Sequence, residues 1–464
     1  MRRGPVIALL ACVATLVACG EKPPPNVLLV SVDTLRADAV GAYGSRVATP
    51  VLDALAADGV LFENAIAPAP ETGPSHATLF TGVDVPRHGV SQNGAALAAE
   101  QGTLAAAFRA AGYATAGFVS SFVLDPRFGW SRGFEVYDAT FPKHGETIRQ
   151  RVAFARFHEL EGYDRRAPAT TAPARAWLKE AVEPFFLFVH YFDPHAPYGG
   201  PEELVSEVPL GFAQRRARRW LPAAQRELPR LTLGDLTQAI RHYHAEVLLV
   251  DRAVGELLAA LETRGVRQRT LVVVTADHGE GLGQHGSLDH AHQLYDAQVR
   301  VPLLFQWPGE LEAGFRVATP VGLADVAPTL AELAGVELGR VDGRSLAAAL
   351  RTGADPASRP LLGRRRRYLR PIAGHRGQKF FVREARWKYI RASDDPDELY
   401  DLLEDPGELR NLYPARRDEA LRLGGILDEH LAANPDPARP ELDPQVRRAL
   451  EALGYAEPGS AVPE

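Results

Sequence analysis

Three apolar segments that each end in a cluster of acidic and histidine side chains constrain the fold of this chain more than any other feature. They are residues 26–32 followed by Asp33, residues 185–191, which include His190, followed by Asp193 and His195, and residues 270–275 followed by Asp277 and His278. Continuous apolar runs of this kind are typical of strands buried on both faces of a parallel sheet. Because ligand-binding groups collect at the carboxyl ends of such strands, we expect the three clusters to meet at one edge of a sheet.

Helix-like patterns separate the strand-like segments in the first part of the chain. They cover residues 49–59, 104–111, 173–181 and 242–261, and a further strand-like run covers residues 114–119. Such alternation of helices and strands predicts an α/β fold with a doubly wound, largely parallel sheet.

After about residue 350 the pattern changes to shorter segments, which predict a small C-terminal α+β subdomain. Strand-like segments cover residues 378–382, 387–391 and 398–402, and a helical pattern covers residues 419–433. We therefore expect a main domain over residues 26–345, a C-terminal subdomain over residues 346–434 and a loosely ordered tail over residues 435–464. Two arginine-rich stretches, residues 137–172 and 202–233, are interpreted as surface insertions near a substrate cleft.

Residues 1–18 have the pattern of a secretory signal peptide, in which two arginines precede a short apolar run and small residues. The run is too short to span a bilayer comfortably. The sequence LVAC at residues 16–19 resembles a bacterial lipobox, in which Cys19 would carry the lipid and residues 19–25 would form a stiff tether. This pattern predicts a protein of the bacterial cell envelope, lipid-anchored in the outer membrane and facing the periplasm or the exterior. The alternative is an ordinary secretory signal that is cut nearby.

Charge and cysteine content exclude several classes of function. The chain has 464 residues and a formal net charge of −6, which argues against general binding to nucleic acids. Its two cysteines are Cys12 and Cys19, so the domain after the signal has no disulfide, no thiolate metal site and no cysteine nucleophile.

Seven motifs resemble those of the sulfatase family in the alkaline phosphatase superfamily, and they occur in that family's order. They are NVLLVSVDTLRADAVGAYG, TPVLDALAADGVLFENA, PSHATLFTG, FDPHAPY, TADHGEGLGQHG, LYDAQVRVPLLF and ELYDLLEDPGELRNL, between residues 26 and 412. The resemblance implies an α/β/α sandwich with a small C-terminal subdomain, in agreement with the patterns above. It also implies a metal-dependent ester hydrolase.

The segment PETGPSHATLFTG, residues 70–82, departs from the sulfatase motif at the residue that matters most. Sulfatases have Cys or Ser, any residue, then Pro-Ser-Arg, and the first residue is oxidised to formylglycine. By resemblance Thr72 takes the nucleophile position, Pro74 and Ser75 match, and His76 replaces the arginine. The family's Gly-Lys-x-His segment is also missing, since AGFVSSFVLDPRFG stands in its place at residues 116–129.

The resemblance also implies the metal ligands and the groups around them. The implied metal ligands are Asp33, Thr72, Asp277 and His278. The implied substrate-binding residues are His76 and Asn93. The implied catalytic residues are Thr72, His195 and His290. His292 is an alternative to His290 as the general acid. Because Thr34 stands where many calcium-dependent sulfatases have a second aspartate, Mn²⁺ or Zn²⁺ is favoured and Ca²⁺ is possible. We expect one divalent ion, since the sequence has no convincing second set of Asp and His ligands.

Three functional hypotheses follow from these departures. A threonine ester cannot expel its group by collapsing to an aldehyde, so water must attack the sulfur or phosphorus atom directly. This favours metal-assisted hydrolysis or transfer of phosphoesters through Thr72, on a small-molecule, lipid-headgroup or glycan ester. The alternatives are a sulfate-ester hydrolase without formylglycine and a non-catalytic binding protein on the same fold.

Two features also have purely structural interpretations. Thr72 or Ser75 would be a good N-cap for the helix that follows. The arginine run at residues 364–367 is typical of a solvated charged surface, or of a site for anionic lipid headgroups or a phosphorylated glycan.

Overall fold

A computed structural model describes residues 23–141, 163–372, 375–435 and 441–452, and it contains three sheets. The strands are β1 (Asn26–Val32), β2 (Val60–Phe62), β3 (Ala65–Ile66), β4 (Ala114–Phe118), β5 (Val136–Asp138), β6 (Phe185–Tyr191), β7 (Thr270–Ala276), β8 (Arg300–Val301), β9 (Leu303–Gln306), β10 (Phe315–Val317), β11 (Val321–Gly322), β12 (Leu361–Ile372), β13 (His375–Arg383), β14 (Trp387–Ala392) and β15 (Glu398–Asp401). The α-helices are α1 (Pro50–Ala57), α2 (Thr72–Thr81), α3 (Val85–His88), α4 (Leu104–Ala110), α5 (Ala167–Glu180), α6 (Glu202–Glu207), α7 (Leu210–Glu227), α8 (Leu233–Thr263), α9 (Asp296–Val299), α10 (Val326–Ala334), α11 (Ala347–Thr352), α12 (Arg417–Ala433) and α13 (Pro444–Ala452).

The central sheet has the strand order β10-β2-β9-β7-β1-β6-β4-β5. Its pairs are parallel except for those that β9 makes with β2 and β7. Helices α5, α6, α7 and α1 pack against the long helix α8, whereas α2, α4 and α11 pack around α10. The predicted α/β class with a largely parallel central sheet is confirmed.

Strand β1 lies between β6 and β7, and the three strands end level with one another. Val32 is the register partner of both Tyr191 and Ala276, and the backbone N–H of Asp33 donates to the Tyr191 carbonyl over 2.8 Å. Every residue of the three strands is buried, so both faces of the sheet are covered here. The polar residues that follow the strands are therefore brought to one edge of the sheet.

The arginine-rich stretch at residues 202–233, which was interpreted as a surface insertion, is helical. It forms α6 and α7, and α7 buries Phe212, Trp220 and Ala224 on the side that contacts α8. Helix α8 begins after a capping box, in which the Asp235 N–H donates to the Thr232 hydroxyl and the Thr232 N–H donates to the Asp235 carboxylate, both over 3.1 Å. The other predicted insertion lies mostly outside the described residues, which resume at residue 163.

The predicted C-terminal subdomain is an antiparallel sheet, β12-β13-β14-β15, covered by α12. It has a small apolar core of its own, which includes Val382, Leu399 and Leu423. The chain beyond residue 434 differs from the expected loose tail, because it forms α13 over Pro444–Ala452. Val446 and Leu450 of α13 are buried in the core of the main domain.

The N-terminal signal and the lipidation residue Cys19 lie outside the described residues. In the ranges that the structure describes, no helix combines the length and the apolar character needed to cross a bilayer.

A buried lysine joins the C-terminal sheet to the main domain. Lys388 of β14 has no exposed surface, and its Nζ lies 2.8 Å from Asp296 Oδ1 and 2.7 Å from Glu408 Oε1. The Lys388→Met substitution would leave the buried Glu408 and the partly buried Asp296 without this cation, and we expect it to lower the free energy of unfolding by about 3–5 kcal/mol. Urea denaturation measures this change. Arg252→Met, which removes an exposed pair with Glu207, is the control and should cost less than about 1 kcal/mol; equal losses in the two variants would contradict the prediction.

Candidate active site

Two aspartates and one histidine meet at the carboxyl ends of β1 and β7. Asp33, Asp277 and His278 are fully buried, and each offers a ligand atom that lies within 4.8 Å of the others. His278 Nε2 is 3.7 Å from Asp33 Oδ1 and 3.5 Å from Asp277 Oδ2. These groups, which were predicted to meet at the strand ends, are therefore close enough to bind one ion together.

Hydrogen bonds outside this group orient its ligand atoms. His278 Nδ1 lies 2.9 Å from the Gly279 carbonyl oxygen, which can only accept, so Nδ1 carries the proton and the Nε2 lone pair faces the carboxylates. Asp277 Oδ1 accepts the backbone N–H of His278 over 2.8 Å and that of Thr34 over 3.3 Å. Both side chains are thus fixed in the orientation that a metal ligand needs.

The remaining carboxylate oxygens fit a divalent cation. Asp33 Oδ1 and Asp277 Oδ2 are buried and have no hydrogen-bond partner in the part of the chain that the structure describes. Burial, together with the charge of Asp277, raises the pKa of Asp33 well above its usual value. Two buried carboxylates that repel each other, each with one oxygen that no donor reaches, are stabilised by a bound cation. The donor set is therefore that of a metal site.

Thr72 is the first residue of α2, and its hydroxyl faces this group. Its Oγ1 lies 3.5 Å from Asp33 Oδ2 and 3.5 Å from His278 Nε2, and the residue is fully buried. The N-cap of α2 is Glu71, and no side chain caps the helix. Ser75 instead donates to the Ala69 carbonyl over 2.8 Å. The capping interpretation of Thr72 and Ser75 is therefore wrong.

Two neutral histidines lie behind the carboxylates. His76 Nδ1 donates to the Thr72 carbonyl over 2.9 Å and lies 3.6 Å from Asp277 Oδ2, whereas His190 Nε2 lies 3.6 Å from Asp33 Oδ2. Burial lowers the pKa of each ring to about 4. The place where the sulfatase motif has a positive arginine therefore holds an uncharged ring.

His195 and His290 face each other on the other side of the group. Their ring centroids are 4.8 Å apart, and the His290 ring lies 4.6 Å from that of His278. His290 Nδ1 is 3.3 Å from Oε1 of the buried Glu280. Burial opposes a charge on His290, but Glu280, Asp33 and Asp289 together outweigh burial and raise the pKa of His290 to about 9. His290 is therefore a protonated donor at neutral pH.

His292 contacts two other groups. Its Nε2 is 3.3 Å from Asp289 Oδ1, and its ring lies 5.4 Å from that of Tyr368. The ring of His290 packs against those of both His278 and His195.

Asn93 packs against the N-terminus of α2. Its Oδ1 accepts the Gly73 N–H over 2.7 Å, and its own backbone N–H donates to Glu71 Oε2 over 3.3 Å. Nδ2 is buried and has no acceptor within the described ranges. The amide group therefore has donors left for a bound ester beside Thr72.

Three charged side chains around the site were not predicted from the sequence: Glu280, Glu71 and Arg366. Glu280 follows Asp-His-Gly and Glu71 precedes Thr72, so adjacency to a motif was a usable signal for both. Arg366 belongs to the arginine run, in which Arg364 and Arg365 are buried. The interpretation of the whole run as a solvated surface is therefore wrong.

The family model Sulfatase matches residues 25–336, and the model N-sulphoglucosamine sulphohydrolase, C-terminal, matches residues 283–432. The ulvan-active sulfatase of Formosa agariphila is 26% identical, over 91% of this chain and 85% of that protein. The choline-sulfatase of Rhizobium meliloti is 28% identical, over 84% of this chain and 82% of that protein.

Among solved structures, the phosphonate monoester hydrolase of Agrobacterium radiobacter is similar, with a TM-score of 0.71 and 26% identity. The match covers 88% of this chain and 95% of that enzyme. Since the Sulfatase model matches well over half of the chain, and the fold and the metal-ligand group agree with it, the chain belongs to the sulfatase family of metal-dependent ester hydrolases, in the alkaline phosphatase superfamily.

Proposed function

We propose that this protein hydrolyses phosphoesters that carry a single negative charge, with Thr72 as the nucleophile. Phosphodiesters and phosphonate monoesters are such substrates, and their alcohol can belong to a small molecule, a lipid headgroup or a glycan. If an alcohol instead of water attacks the Thr72 ester, the same chemistry transfers the phosphoryl group to that alcohol. The observation that carries the proposal is the Thr72 hydroxyl, which lies at the first residue of α2 and 3.5 Å from both Asp33 Oδ2 and His278 Nε2.

The choice of phosphorus over sulfur rests on the nucleophile. An aldehyde hydrate releases sulfate by breaking its own C–O bond, whereas an ester of Thr72 must be cleaved by water at the central atom. A phosphorus ester as the substrate is consistent with the structural likeness to a phosphonate monoester hydrolase.

The preference for a single negative charge rests on the charges around the site. The two carboxylates of Asp33 and Asp277 would together neutralise the charge of a divalent ion that they hold. The ion partners of these aspartates among the described residues are histidines, where the sulfatase motif has an arginine. A doubly charged phosphomonoester would therefore enter a site with little compensating charge.

Asp33, Asp277, His278 and Thr72 would hold one divalent ion. Imidazole among oxygen ligands suits Mn²⁺ or Zn²⁺ better than Ca²⁺. When bound, the ion supplies the positive charge that makes the Thr72 hydroxyl acidic enough to attack near neutral pH.

The side chains of this chain account for the proton transfers. Thr72 Oγ1 forms a bond to phosphorus, its proton passes to Asp33 Oδ2, and the bond from phosphorus to the departing oxygen breaks. His290 gives that oxygen a proton, and Asn93 Nδ2 donates to a non-bridging oxygen. Water then attacks phosphorus, the bond from phosphorus to Thr72 Oγ1 breaks, and Thr72 regains its proton from Asp33. The proton released from water returns to His290. In its protonated form His195, beside His290, donates through Nε2 to a non-bridging oxygen, because its Nδ1 already donates to the Ala196 carbonyl over 2.5 Å.

A second candidate function is sulfate-ester hydrolysis without formylglycine. The curated relatives named above are sulfatases, which favours a sulfate ester as substrate. A sulfate monoester also carries a single negative charge, so the charge argument does not separate it from a phosphodiester.

A substrate panel tests the proposal. Metal-loaded protein is assayed with bis(p-nitrophenyl) phosphate, p-nitrophenyl phenylphosphonate, p-nitrophenyl phosphate and p-nitrophenyl sulfate. We expect kcat/KM for the first two to exceed that for the other two by at least about tenfold. Fastest turnover of the sulfate ester would establish the second candidate function instead.

A further inference from the structure

Strand β12 of the C-terminal sheet contacts the segment that leads into the nucleophile. The backbone N–H of Arg364 donates to the Pro68 carbonyl over 2.8 Å, and Arg366 Nε lies 3.2 Å from Glu71 Oε1. A Cβ at Gly363 would be 2.6 Å from the Pro68 oxygen, so the two backbones approach as closely as only glycine allows. The strand is therefore packed directly against residues 68–71.

The same strand holds the loop that presents His290. Arg365 Nη1 donates to the His292 carbonyl over 2.8 Å, and the Tyr368 hydroxyl donates to the Ala291 carbonyl over 2.9 Å. Ala291 has φ +70°, a left-handed conformation that an alanine adopts only when its surroundings impose it. These two hydrogen bonds fix the backbone on the C-terminal side of His290.

The side chains that make these contacts are themselves fixed. Arg365 is fully buried and also donates to the carbonyls of Arg376 and Gly377 on β13. The guanidinium groups of Arg365 and Arg366 lie 5.0 and 4.8 Å from the centroid of the Tyr368 ring. Cation–π contacts and hydrogen bonds thus join the three side chains into one rigid unit.

We propose that Arg365, Arg366 and Tyr368 are positioning residues that align the two reacting groups of the site. Arg366 acts through Glu71, whose other oxygen accepts the Asn93 N–H, on the turn that carries Thr72. Arg365 and Tyr368 act through the carbonyls of residues 291 and 292 on the ring of His290. This inference rests on the proposed function, in which Thr72 attacks and His290 protonates the leaving oxygen.

The two contacts predict different kinetic signatures. A displaced general acid slows esters whose leaving group needs a proton and spares those with a stable leaving anion. A displaced nucleophile or oxyanion donor slows all esters to the same extent. Damage that is only structural lowers the amount of active enzyme and cannot depend on the leaving group.

Tyr368→Phe and Arg366→Met separate the two contacts, with wild type assayed on the ester class that it hydrolyses best. Tyr368→Phe should lower kcat/KM about tenfold for alkyl leaving groups and less than about twofold for p-nitrophenyl. Arg366→Met should lower kcat/KM about tenfold for both leaving groups, and the Glu71→Gln/Arg366→Met double variant should recover part of that loss. Arg367→Met, an exposed neighbour on the same strand, is the matched control and should match wild type.

Hydrogen exchange provides a readout that does not need turnover. Tyr368→Phe should speed exchange at residues 289–294, and Arg366→Met at residues 70–76, while Arg367→Met changes neither. Unchanged exchange at both segments, or a Tyr368→Phe loss that ignores the leaving group, overturns the inference. Failure of the proposed function is distinct, because wild type would then hydrolyse sulfate esters fastest or no ester at all, while the exchange pattern still decides whether this strand holds the two segments.

Discussion

Thr72→Ala is expected to lower kcat by about a thousandfold or more on any ester that the wild type hydrolyses. The substitution removes the only hydroxyl that lies 3.5 Å from both Asp33 Oδ2 and His278 Nε2 among the described residues. Without it, no covalent intermediate can form, and hydrolysis depends on direct attack by water. Steady-state kinetics at saturating Mn²⁺ or Zn²⁺ measures the loss, with metal content determined on the same samples.

Thr72→Ser is the matched control, because it keeps the hydroxyl while removing only a methyl group. It should retain activity within about tenfold of wild type. Rapid acid quenching followed by mass spectrometry should find a phosphoryl group on residue 72 of the wild type and of the serine variant. Full activity of Thr72→Ala would remove Thr72 from the mechanism, whatever ester proves to be the substrate.

Asp277→Asn should weaken binding of the divalent ion by about a hundredfold or more, since it removes a charged ligand. Calorimetric titration with Mn²⁺ or Zn²⁺ measures this affinity, and we expect one equivalent bound per wild-type chain. The metal-free protein should respond differently, because the substitution relieves the repulsion between Asp33 and Asp277. The variant should therefore fold at least as stably as wild type without metal and gain little stability when metal is added.

Thermal unfolding with and without metal checks this difference. A ligand that binds only the folded state raises Tm, so the metal-dependent rise should disappear in Asp277→Asn and remain in Glu256→Gln, which changes an exposed carboxylate. Binding of two equivalents by wild type would contradict the single-ion proposal. A normal affinity in Asp277→Asn would contradict the ligand assignment.

The long strands of the sheet could be predicted because each of them is apolar over its whole length. β1, β6 and β7 match the predicted segments within a residue, and the polar residues after them meet as expected. Shorter strands such as β3, β8 and β11 have two residues each, too few for any pattern to be read. Helix α7 was not predicted, because its many arginines obscure the apolar pattern of its buried side. One of these arginines, Arg216, stacks on Trp220 and pairs with Asp38.

The residues of the site also divide into those that a local sequence pattern indicates and those whose partners depend on the tertiary structure. Asp33, Asp277 and His278 lie at strand ends, so local pattern was enough to place them together. Glu280 and His290 form a pair that no motif spacing indicates. The partner of Glu71 is a residue of a separate sheet, and a pair of this kind is fixed only when the tertiary structure forms.

The contact between β12 and residues 68–71 means that the boundary between the two sheets runs beside Thr72. The C-terminal subdomain therefore cannot be exchanged on its own between relatives without disturbing the site. In a chimera that took its C-terminal sheet from a sulfatase relative, the strand packed against residues 68–71 would come from the other protein. The smallest segments that can be exchanged together are residues 68–71, 289–292 and 364–368. Recombination that respects the sequence boundary between the domains, but separates these three, should yield folded proteins that are poor catalysts.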